Sequence, residues 1–270
     1  MQSQELNILK LKLHIIDLMK ISILQTNIKW ADCEYNRNQA ELLLNKAQDS
    51  DLYVLPEMWS TGFVTSPEGV AEEDDNSLNW MIEQAKMHNA AICGSVSIKN
   101  DGYRNRNYFV FPDGTFKYYD KRHLFSFGGE NANYEHGCSR VIVEWKGYRC
   151  LLLTCYDLRF PVWCRNQDDY DVIIIVANWP ESRKHVWDTL LKARAIENQC
   201  FVIASNRVGQ DNSSIYIGGS YVIDAKGKII SQNHTEDEEI ISATISHNDL
   251  DNFRNKFRVL SDRDEFKLCK

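Results

Sequence analysis

Several features that would point to other classes of protein are missing from this 270-residue chain. No uninterrupted apolar run approaches the roughly 20 residues that cross a membrane. The eight cysteines include no CxxC pair, and none of the seven histidines stands at zinc-ligand spacing from a cysteine. Reduced thiols are therefore favoured over a disulfide framework, and a zinc site is disfavoured. The net charge of −7 gives no reason to expect nucleic acid or an anionic membrane as partner. These absences predict a cytoplasmic protein.

The chain also lacks an internal repeat, a low-complexity tract and a Pro/Gly-rich linker. With 43% hydrophobic and 26% charged residues, it can bury one large core. The first 18 residues are apolar only in places, because five polar residues interrupt them too often for a signal-peptide core: Glu5, Lys10, Lys12, His14 and Asp17. We predict that residues 1–18 are an extension outside the core and that residues 19–270 form a single domain.

From Met19 onward, apolar segments alternate with segments of helical spacing. The predicted strands are Ile21–Thr26, Leu52–Leu55, Ala90–Ser97, Tyr108–Phe111, Val141–Trp145, Arg149–Thr154, Val172–Ala177, Phe201–Ser205 and Ser220–Ile223. The predicted helices are Tyr35–Gln48, Ser77–His88, Val162–Asp169, Arg183–Gln199 and roughly Leu250–Phe257. Asp-Gly pairs at 101–102 and 113–114 indicate hairpin turns. Parallel units mixed with hairpins predict a layered α/β fold rather than a barrel of eight βα repeats.

The segment LLLTCYDLRFP, residues 151–161, is the most informative stretch of the sequence. An apolar strand leads directly to Cys155, and a polar turn follows. A thiol at such a strand exit shares a small volume with the next backbone N–H, that of Tyr156. Nucleophilic catalysis needs this pairing of an attacking atom with a donor for the oxyanion.

Two other segments also end a strand with one ionisable residue. DLYVLPEMWSTGF, residues 51–63, places Glu57 at a strand exit, and YYDKRHLFSFGGE, residues 118–130, places Lys121 after an aromatic strand. Strand ends on one side of an open sheet converge on a shared crevice. The sequence therefore predicts that a carboxylate, an ammonium and a thiol meet there.

LPE at 55–57, DKRHLF at 120–125 and CYDLRFP at 155–161 resemble the three motifs of the nitrilase, or carbon–nitrogen hydrolase, superfamily. The order Glu, Lys, Cys matches as well, and the resemblance covers about residues 19–265. It implies an α/β fold, a four-layer α-β-β-α sandwich of the nitrilase type. CYDLRFPVWCRN, ANWPESR and ARAIENQ most resemble the bacterial ω-amidases, which deaminate 2-oxoglutaramate-like compounds.

The resemblance implies a role for each site residue. Glu57 is the expected general base, Lys121 the oxyanion stabiliser and Cys155 the nucleophile. A supporting glutamate is expected seven residues before a glycine, which selects Glu130, with Glu135 as the rival. The implied reaction hydrolyses a small ω-amide of the 2-oxoglutaramate or 2-oxosuccinamate type with water, through a thioester, and needs no metal or organic cofactor.

The substrate pocket is expected to be aromatic. Trp59, Phe63 and Phe125 should rim Glu57, and Trp179 should form a second wall. The sequence leaves two roles open for Arg183. It pairs with a substrate carboxylate, or it is a solvated residue in the first turn of a helix. Arg159 is expected to hold a carboxylate, such as Asp157 or a glutamate, in place.

Other functions stay open at this point. The same three residues suit a nitrile, an N-carbamoyl amine or a longer aliphatic amide as substrate. A non-catalytic binding member is a further alternative, as is a redox sensor in which Cys164 or Cys150 pairs with Cys155. Because family members pair through helices beside the nucleophile strand, we expect a homodimer with Arg159–Asp169 in the interface.

Overall fold

The computed structural model describes residues 18–47, 49–232 and 236–268. The predicted extension, residues 1–18, lies outside these ranges except for Leu18, which opens the first strand opposite Ser246. The extension therefore stays a prediction. Within the described ranges, no helix combines the length and the apolar character needed to cross a membrane.

The order of elements alternates strands and helices, much as predicted. The strands are β1 (Leu18–Gln25), β2 (Leu52–Val54), β3 (Ala91–Lys99), β4 (Tyr103–Val110), β5 (Phe116–Asp120), β6 (Ile142–Trp145), β7 (Tyr148–Thr154), β8 (Val172–Ala177), β9 (Phe201–Asn206), β10 (Val208–Gln210), β11 (Ile215–Ile217), β12 (Tyr221–Ile223) and β13 (Glu239–Ser246). The α-helices are α1 (Cys33–Lys46), α2 (Asn76–His88), α3 (Glu130–Asn133), α4 (Pro161–Cys164), α5 (Lys184–Asn198) and α6 (His247–Lys256).

Two large sheets carry the fold. The first has the strand order β13-β1-β2-β3-β4-β5, and the second has the order β12-β9-β8-β7-β6. β1, β2 and β3 run parallel, as do β7, β8 and β9. The β3–β4 and β4–β5 hairpins are antiparallel. Their turns fall at the predicted Asp-Gly pairs, so both hairpin predictions are confirmed.

The layers follow from what each element buries. Between the sheets, Ile23 and Val54 of the first join Ile173 and Val202 of the second in one apolar cluster. Helices α1 and α2 cover the other face of the first sheet in a separate cluster. Helix α5 packs its buried stripe on the second sheet, with Leu191 fully buried. The order helix, sheet, sheet, helix confirms the predicted four-layer fold.

The predicted helix Val162–Asp169 is wrong beyond its first turn, because α4 ends at Cys164. The side chain of Asn166 replaces helical hydrogen bonds there: its amide donates to the Tyr170 carbonyl, and its oxygen accepts from the Asp169 amide. Asp168 adopts a left-handed conformation with φ of 65°. A polar side chain that bonds its local backbone competes with helix formation in this way.

Strand β13 was not predicted, although it pairs with β1 along its whole length. Its sequence EIISATIS contains two serines and a threonine, which dilute the apolar signal. Tertiary pairing at the sheet edge, rather than local pattern, makes this segment a strand.

Helix α5 offers a matched pair of substitutions that tests the layer arrangement. Leu191→Ala should lower the free energy of unfolding by about 2–5 kcal/mol, because it leaves a cavity against the second sheet. Ile196→Ala, on the same helix at 53% exposure, should cost less than about 1 kcal/mol. Urea unfolding followed by circular dichroism measures both. Equal losses would contradict the packing of α5 described above.

Candidate active site

The three predicted strand exits meet at one point between the sheets. Glu57 follows β2, Lys121 follows β5 directly, and Cys155 follows β7 directly. Lys121 Nζ lies 2.8 Å from Glu57 Oε1, and both side chains are fully buried. Cys155 lies beside Glu57, close enough for the carboxylate charge to act on the thiol. The structure thus brings together the carboxylate, ammonium and thiol that the motifs indicated.

A second glutamate completes the group, and it is Glu130. Its Oε2 lies 2.8 Å from Lys121 Nζ and accepts a 2.6 Å hydrogen bond from the Phe125 amide. Glu135 instead pairs with Arg104 at the surface, with 55% of its side chain exposed. Lys121 therefore sits between Glu57 and Glu130. We call these three residues the buried ion cluster.

Two asparagines that the sequence analysis missed hold the carboxylates in place. Asn105, on β4, donates from its single Nδ2 to Glu57 Oε1 at 2.8 Å and to Glu130 Oε1 at 3.0 Å. The backbone N–H of Asn178 donates to Glu57 Oε2 at 2.9 Å. The sequence pattern could have indicated Asn105. It is a polar side chain on the inward face of a strand, and its neighbours Arg104 and Arg106 point outward.

The buried ion cluster controls the protonation of its members. Burial alone would lower the pKa of Lys121, but the charges of Glu130 and Glu57 outweigh it and raise that pKa, so the amine stays an ammonium. Burial also raises the pKa of Glu130, against the opposing charge of Lys121. For Cys155, burial raises the pKa well above its ordinary range, and the charge of Glu57 adds to the effect. The resting residue is a thiol.

Cys155 occupies a strained backbone position. Its φ of 45° lies in the left-handed region, which is uncommon for a residue with a side chain. Cys155 also opens a 3-10 turn, Cys155–Arg159, so the N–H of Tyr156 has no earlier carbonyl of the turn to bond. Sulfur and backbone donor therefore occupy the same strand exit, as the sequence predicted.

Asp157 connects the cysteine turn to the lysine segment. It accepts from the Thr154 amide at 3.0 Å, from the Tyr119 hydroxyl at 2.8 Å and from the His123 amide at 3.0 Å. These partners leave no role for Arg159, so the expectation that Arg159 holds Asp157 is wrong. The Arg159 guanidinium lies instead 5.2 Å from the centre of the Trp179 ring.

A cavity of about 550 Å³ opens above Cys155, a size that suits a small molecule. It is lined by the four predicted substrate-binding residues, Phe63, Phe125, Trp179 and Arg183, and by Tyr156, but not by Trp59. Trp59 packs on Trp80 in the outer helical layer, so its placement at the rim is wrong. The loop from Asp211 to Ser214 also lines the cavity and was not predicted, because it lies far from every motif.

The cysteines give the redox alternative no support. All seven described cysteines are free. Cys164 donates to the Asp157 carbonyl at 3.4 Å, and Cys150 is fully buried in β7. Over the described residues, no group of three or more His, Cys, Asp or Glu side chains could hold a metal ion.

Comparison with known proteins agrees with this geometry. Residues 20–255 match the family model for carbon-nitrogen hydrolases. The chain belongs to the carbon–nitrogen hydrolase family. It is 44% identical over 252 residues to the omega-amidase YafV of Escherichia coli (strain K12), covering 93% of this chain and 98% of that protein. It is 35% identical to the 2-oxoglutaramate amidase of Bacillus subtilis (strain 168), covering 90% and 96%.

A solved structure extends the likeness to three dimensions. XC1258 from Xanthomonas campestris, a CN-hydrolase superfamily protein with an arsenic adduct in its active site, superposes with a TM-score of 0.90. It is 43% identical, and the match covers 93% of this chain and 99% of that one. The family and the fold class expected from the motifs are both confirmed.

The electrostatics of the site predict an effect of Glu57→Gln on the thiol. Removing the negative charge should lower the pKa of Cys155, because the thiolate loses its repelling neighbour while the burial is unchanged. The pH dependence of iodoacetamide labelling, read at the Cys155 peptide by mass spectrometry, should shift to lower pH. Glu135→Gln is the matched control, since it removes a surface carboxylate. A labelling midpoint in Glu57→Gln that stays or moves upward would contradict the arrangement.

Proposed function

We propose that the chain is an ω-amidase, a cysteine-dependent hydrolase of the C–N bond of small ω-amides of the 2-oxoglutaramate or 2-oxosuccinamate type. The observation that carries the proposal is the position of Cys155 beside Glu57 of the buried ion cluster, beneath a small-molecule cavity. The similarity to omega-amidase YafV and to a 2-oxoglutaramate amidase supports the choice of substrate class.

In the first half of the proposed reaction, Cys155 Sγ attacks the amide carbon while its proton passes to Glu57. The carbonyl oxygen becomes an oxyanion and is stabilised by Lys121 and by the Tyr156 N–H. Removing one such donor typically costs about 2.7–4 kcal/mol of transition-state stabilisation. Glu57 then gives the proton to the nitrogen, the C–N bond breaks, and ammonia leaves a thioester on Cys155.

In the second half, water is the nucleophile. Glu57 takes a proton from the water as its oxygen attacks the thioester carbon, and the same two donors stabilise the oxyanion. Collapse breaks the C–S bond, the sulfur regains its proton from Glu57, and a carboxylic acid is released. Glu130 acts on Lys121, because its 2.8 Å contact fixes the ammonium in place.

The cavity walls favour an amide that carries an acid at its other end. Phe63 and Phe125 lie with ring centres 6.3 Å apart and form an apolar wall with Trp179. The Arg183 guanidinium lies 5.3 Å from the centre of the Phe125 ring and faces the same cavity. A carboxylate can pair with such a guanidinium through two hydrogen bonds. A simple nitrile or an uncharged aliphatic amide has no carboxylate that could pair with the Arg183 guanidinium.

We further propose that the protein is a cytoplasmic homodimer that pairs through the segment Arg159–Asp169. Val162 in this segment is 55% exposed, beside the buried Trp163. An exposed apolar side chain next to the nucleophile turn supports a contact between two copies.

The acyl intermediate provides the direct test. Wild-type protein quenched during turnover of 2-oxoglutaramate or succinamate should carry an acyl adduct on Cys155, detected by peptide mass spectrometry. Cys155→Ala should release no ammonia while keeping the circular dichroism spectrum of the wild type, because the change removes one small side chain. Undiminished ammonia release by Cys155→Ala would contradict the proposed mechanism.

The two candidate glutamates form a matched pair. Glu130→Gln should lower kcat by roughly 100-fold or more, because it replaces the carboxylate whose 2.8 Å contact holds the Lys121 ammonium in place. Glu135→Gln should leave kcat within about 2-fold, because it breaks only a surface ion pair. Ammonia release under saturating substrate measures both. Equal effects of the two substitutions on kcat would show that Glu130 does not have the proposed supporting role.

A further inference from the structure

The segment that carries Lys121 is joined to the turn Cys155–Arg159, which we call the nucleophile turn, through a buried carboxylate. His123 Nδ1 lies 2.8 Å from Asp157 Oδ1, and the Asp157 side chain is fully buried. We propose that His123 is a positioning residue whose hydrogen bond to Asp157 holds the nucleophile turn at a fixed distance from the Lys121 ammonium. The inference rests on the proposed function, because the effect of His123 is measured in the turnover of an amide.

The contacts of Asp157 lie symmetrically about the two reacting groups. Tyr119 stands two residues before Lys121, and His123 stands two residues after it. The side chains of both donate to Asp157, the tyrosine hydroxyl at 2.8 Å and the imidazole at 2.8 Å. Asp157 itself stands two residues after Cys155. One carboxylate therefore ties the backbone on both sides of the ammonium to the turn that carries the sulfur.

The hydrogen-bond pattern determines which ring nitrogen of His123 carries a proton. Asp157 Oδ2 accepts from the Thr154 amide at 3.0 Å and from the Tyr119 hydroxyl. Asp157 Oδ1 accepts from the His123 amide at 3.0 Å and faces His123 Nδ1. An ionised carboxylate can only accept, so the short contact requires a proton on Nδ1. Hydrogen bonds to an ionised group are the stronger kind, which suits a contact that fixes a distance.

Two aromatic side chains fix the plane of the His123 ring. The ring stacks on Phe160 with the centres 3.8 Å apart and the planes 7° from parallel. Trp163 meets it edge-on at 5.9 Å. The ring therefore cannot turn away from Asp157 without leaving the stack, and the hydrogen bond and the stack are two separable contacts.

The proposed reaction needs this link because its reacting groups come from both segments. The Lys121 ammonium is held by Glu57 and Glu130, whatever the nucleophile turn does. The Cys155 sulfur and the Tyr156 N–H instead move with that turn. A shift of about 1 Å between such groups can cost roughly 100-fold in rate. The link therefore acts on the rate of the chemical step more than on substrate binding.

Two substitutions in the full-length protein separate the hydrogen bond from the ring stack. His123→Asn keeps a donor at the position of Nδ1 and removes the ring, whereas His123→Phe keeps a ring and removes the donor. His123→Phe should lower kcat by about 10- to 100-fold, because a hydrogen bond to a buried carboxylate is lost, and should leave KM within about 2-fold. His123→Asn should recover most of that loss. Ammonia release from 2-oxoglutaramate gives both parameters.

Nitrogen-15 spectra of histidine-labelled protein test the hydrogen bond without turnover. In wild type, Nδ1 of His123 should be protonated, because it faces a carboxylate oxygen at 2.8 Å. The signal is assigned by its loss in His123→Phe. An unprotonated Nδ1 in wild type would overturn the proposal.

Controls separate positioning from a folding defect. His185→Phe changes an exposed histidine of α5 that does not line the cavity, and it should alter neither kcat nor KM. The circular dichroism spectrum of each His123 variant should match that of wild type. His123→Gln carries its amide one carbon further out, so its kcat should fall below that of His123→Asn. This comparison stands even if His123→Phe does not fold.

Three kinetic results would overturn the proposal. A wild-type kcat in folded His123→Phe would show that the hydrogen bond does not position the turn. Equal losses in His123→Asn and His123→Phe would assign the effect to the ring stack, and a change confined to KM would assign it to substrate binding. If wild type releases ammonia from another class of amide but not from ω-amides, and the variants keep the expected order, the proposed function fails and the positioning role stands.

Discussion

A buried ammonium between two buried carboxylates is the interaction on which the rest of the site depends. Lys121 Nζ lies 2.8 Å from both Glu57 and Glu130, and none of the three side chains is exposed. An ammonium left at this depth without a carboxylate partner would cost several kcal/mol, so Lys121 depends on its two neighbours. Glu57 follows β2, Lys121 follows β5 and Glu130 begins α3. The cluster therefore requires β2 and β5 to take their places in the first sheet.

The same cluster determines how the thiol has to react. Burial raises the pKa of the Cys155 thiol, and the charge of Glu57 raises it further. Reactive cysteines in cationic surroundings rest as thiolates, whereas this one rests protonated. In the proposed mechanism the proton must leave for Glu57 as the sulfur attacks. The geometry that holds Glu57 beside the sulfur thus matters more than the acidity of the thiol itself.

The sequence predicted those elements whose local residue pattern is enough to identify them. Val172–Ala177 is a run of six buried apolar residues between polar ones, and its bounds were predicted without error. Strand β13 was missed because only pairing with β1 makes it a strand. The resemblance favoured Glu130 over Glu135 by its spacing from a glycine, and the tertiary contacts agree, because Glu130 reaches Lys121 whereas Glu135 pairs with Arg104. Arg159 was expected to hold Asp157, the acid nearest to it in sequence. In the structure Asp157 accepts hydrogen bonds from other residues, and Arg159 lines the cavity.

The base of the cavity and its wall carry different charged groups, and this difference bears on substrate binding and on product release in the proposed reaction. The buried ion cluster beneath Cys155 contributes two carboxyl groups, while Arg159 and Arg183 make the wall positive. An ω-amide has one anionic end and one neutral end, so the field orients it with the amide toward Cys155. Hydrolysis turns that neutral end into a second carboxylate beside the cluster. Like charges about 5 Å apart repel by roughly 3 kcal/mol at an effective dielectric constant near 20. The field that orients the substrate therefore opposes retention of its product.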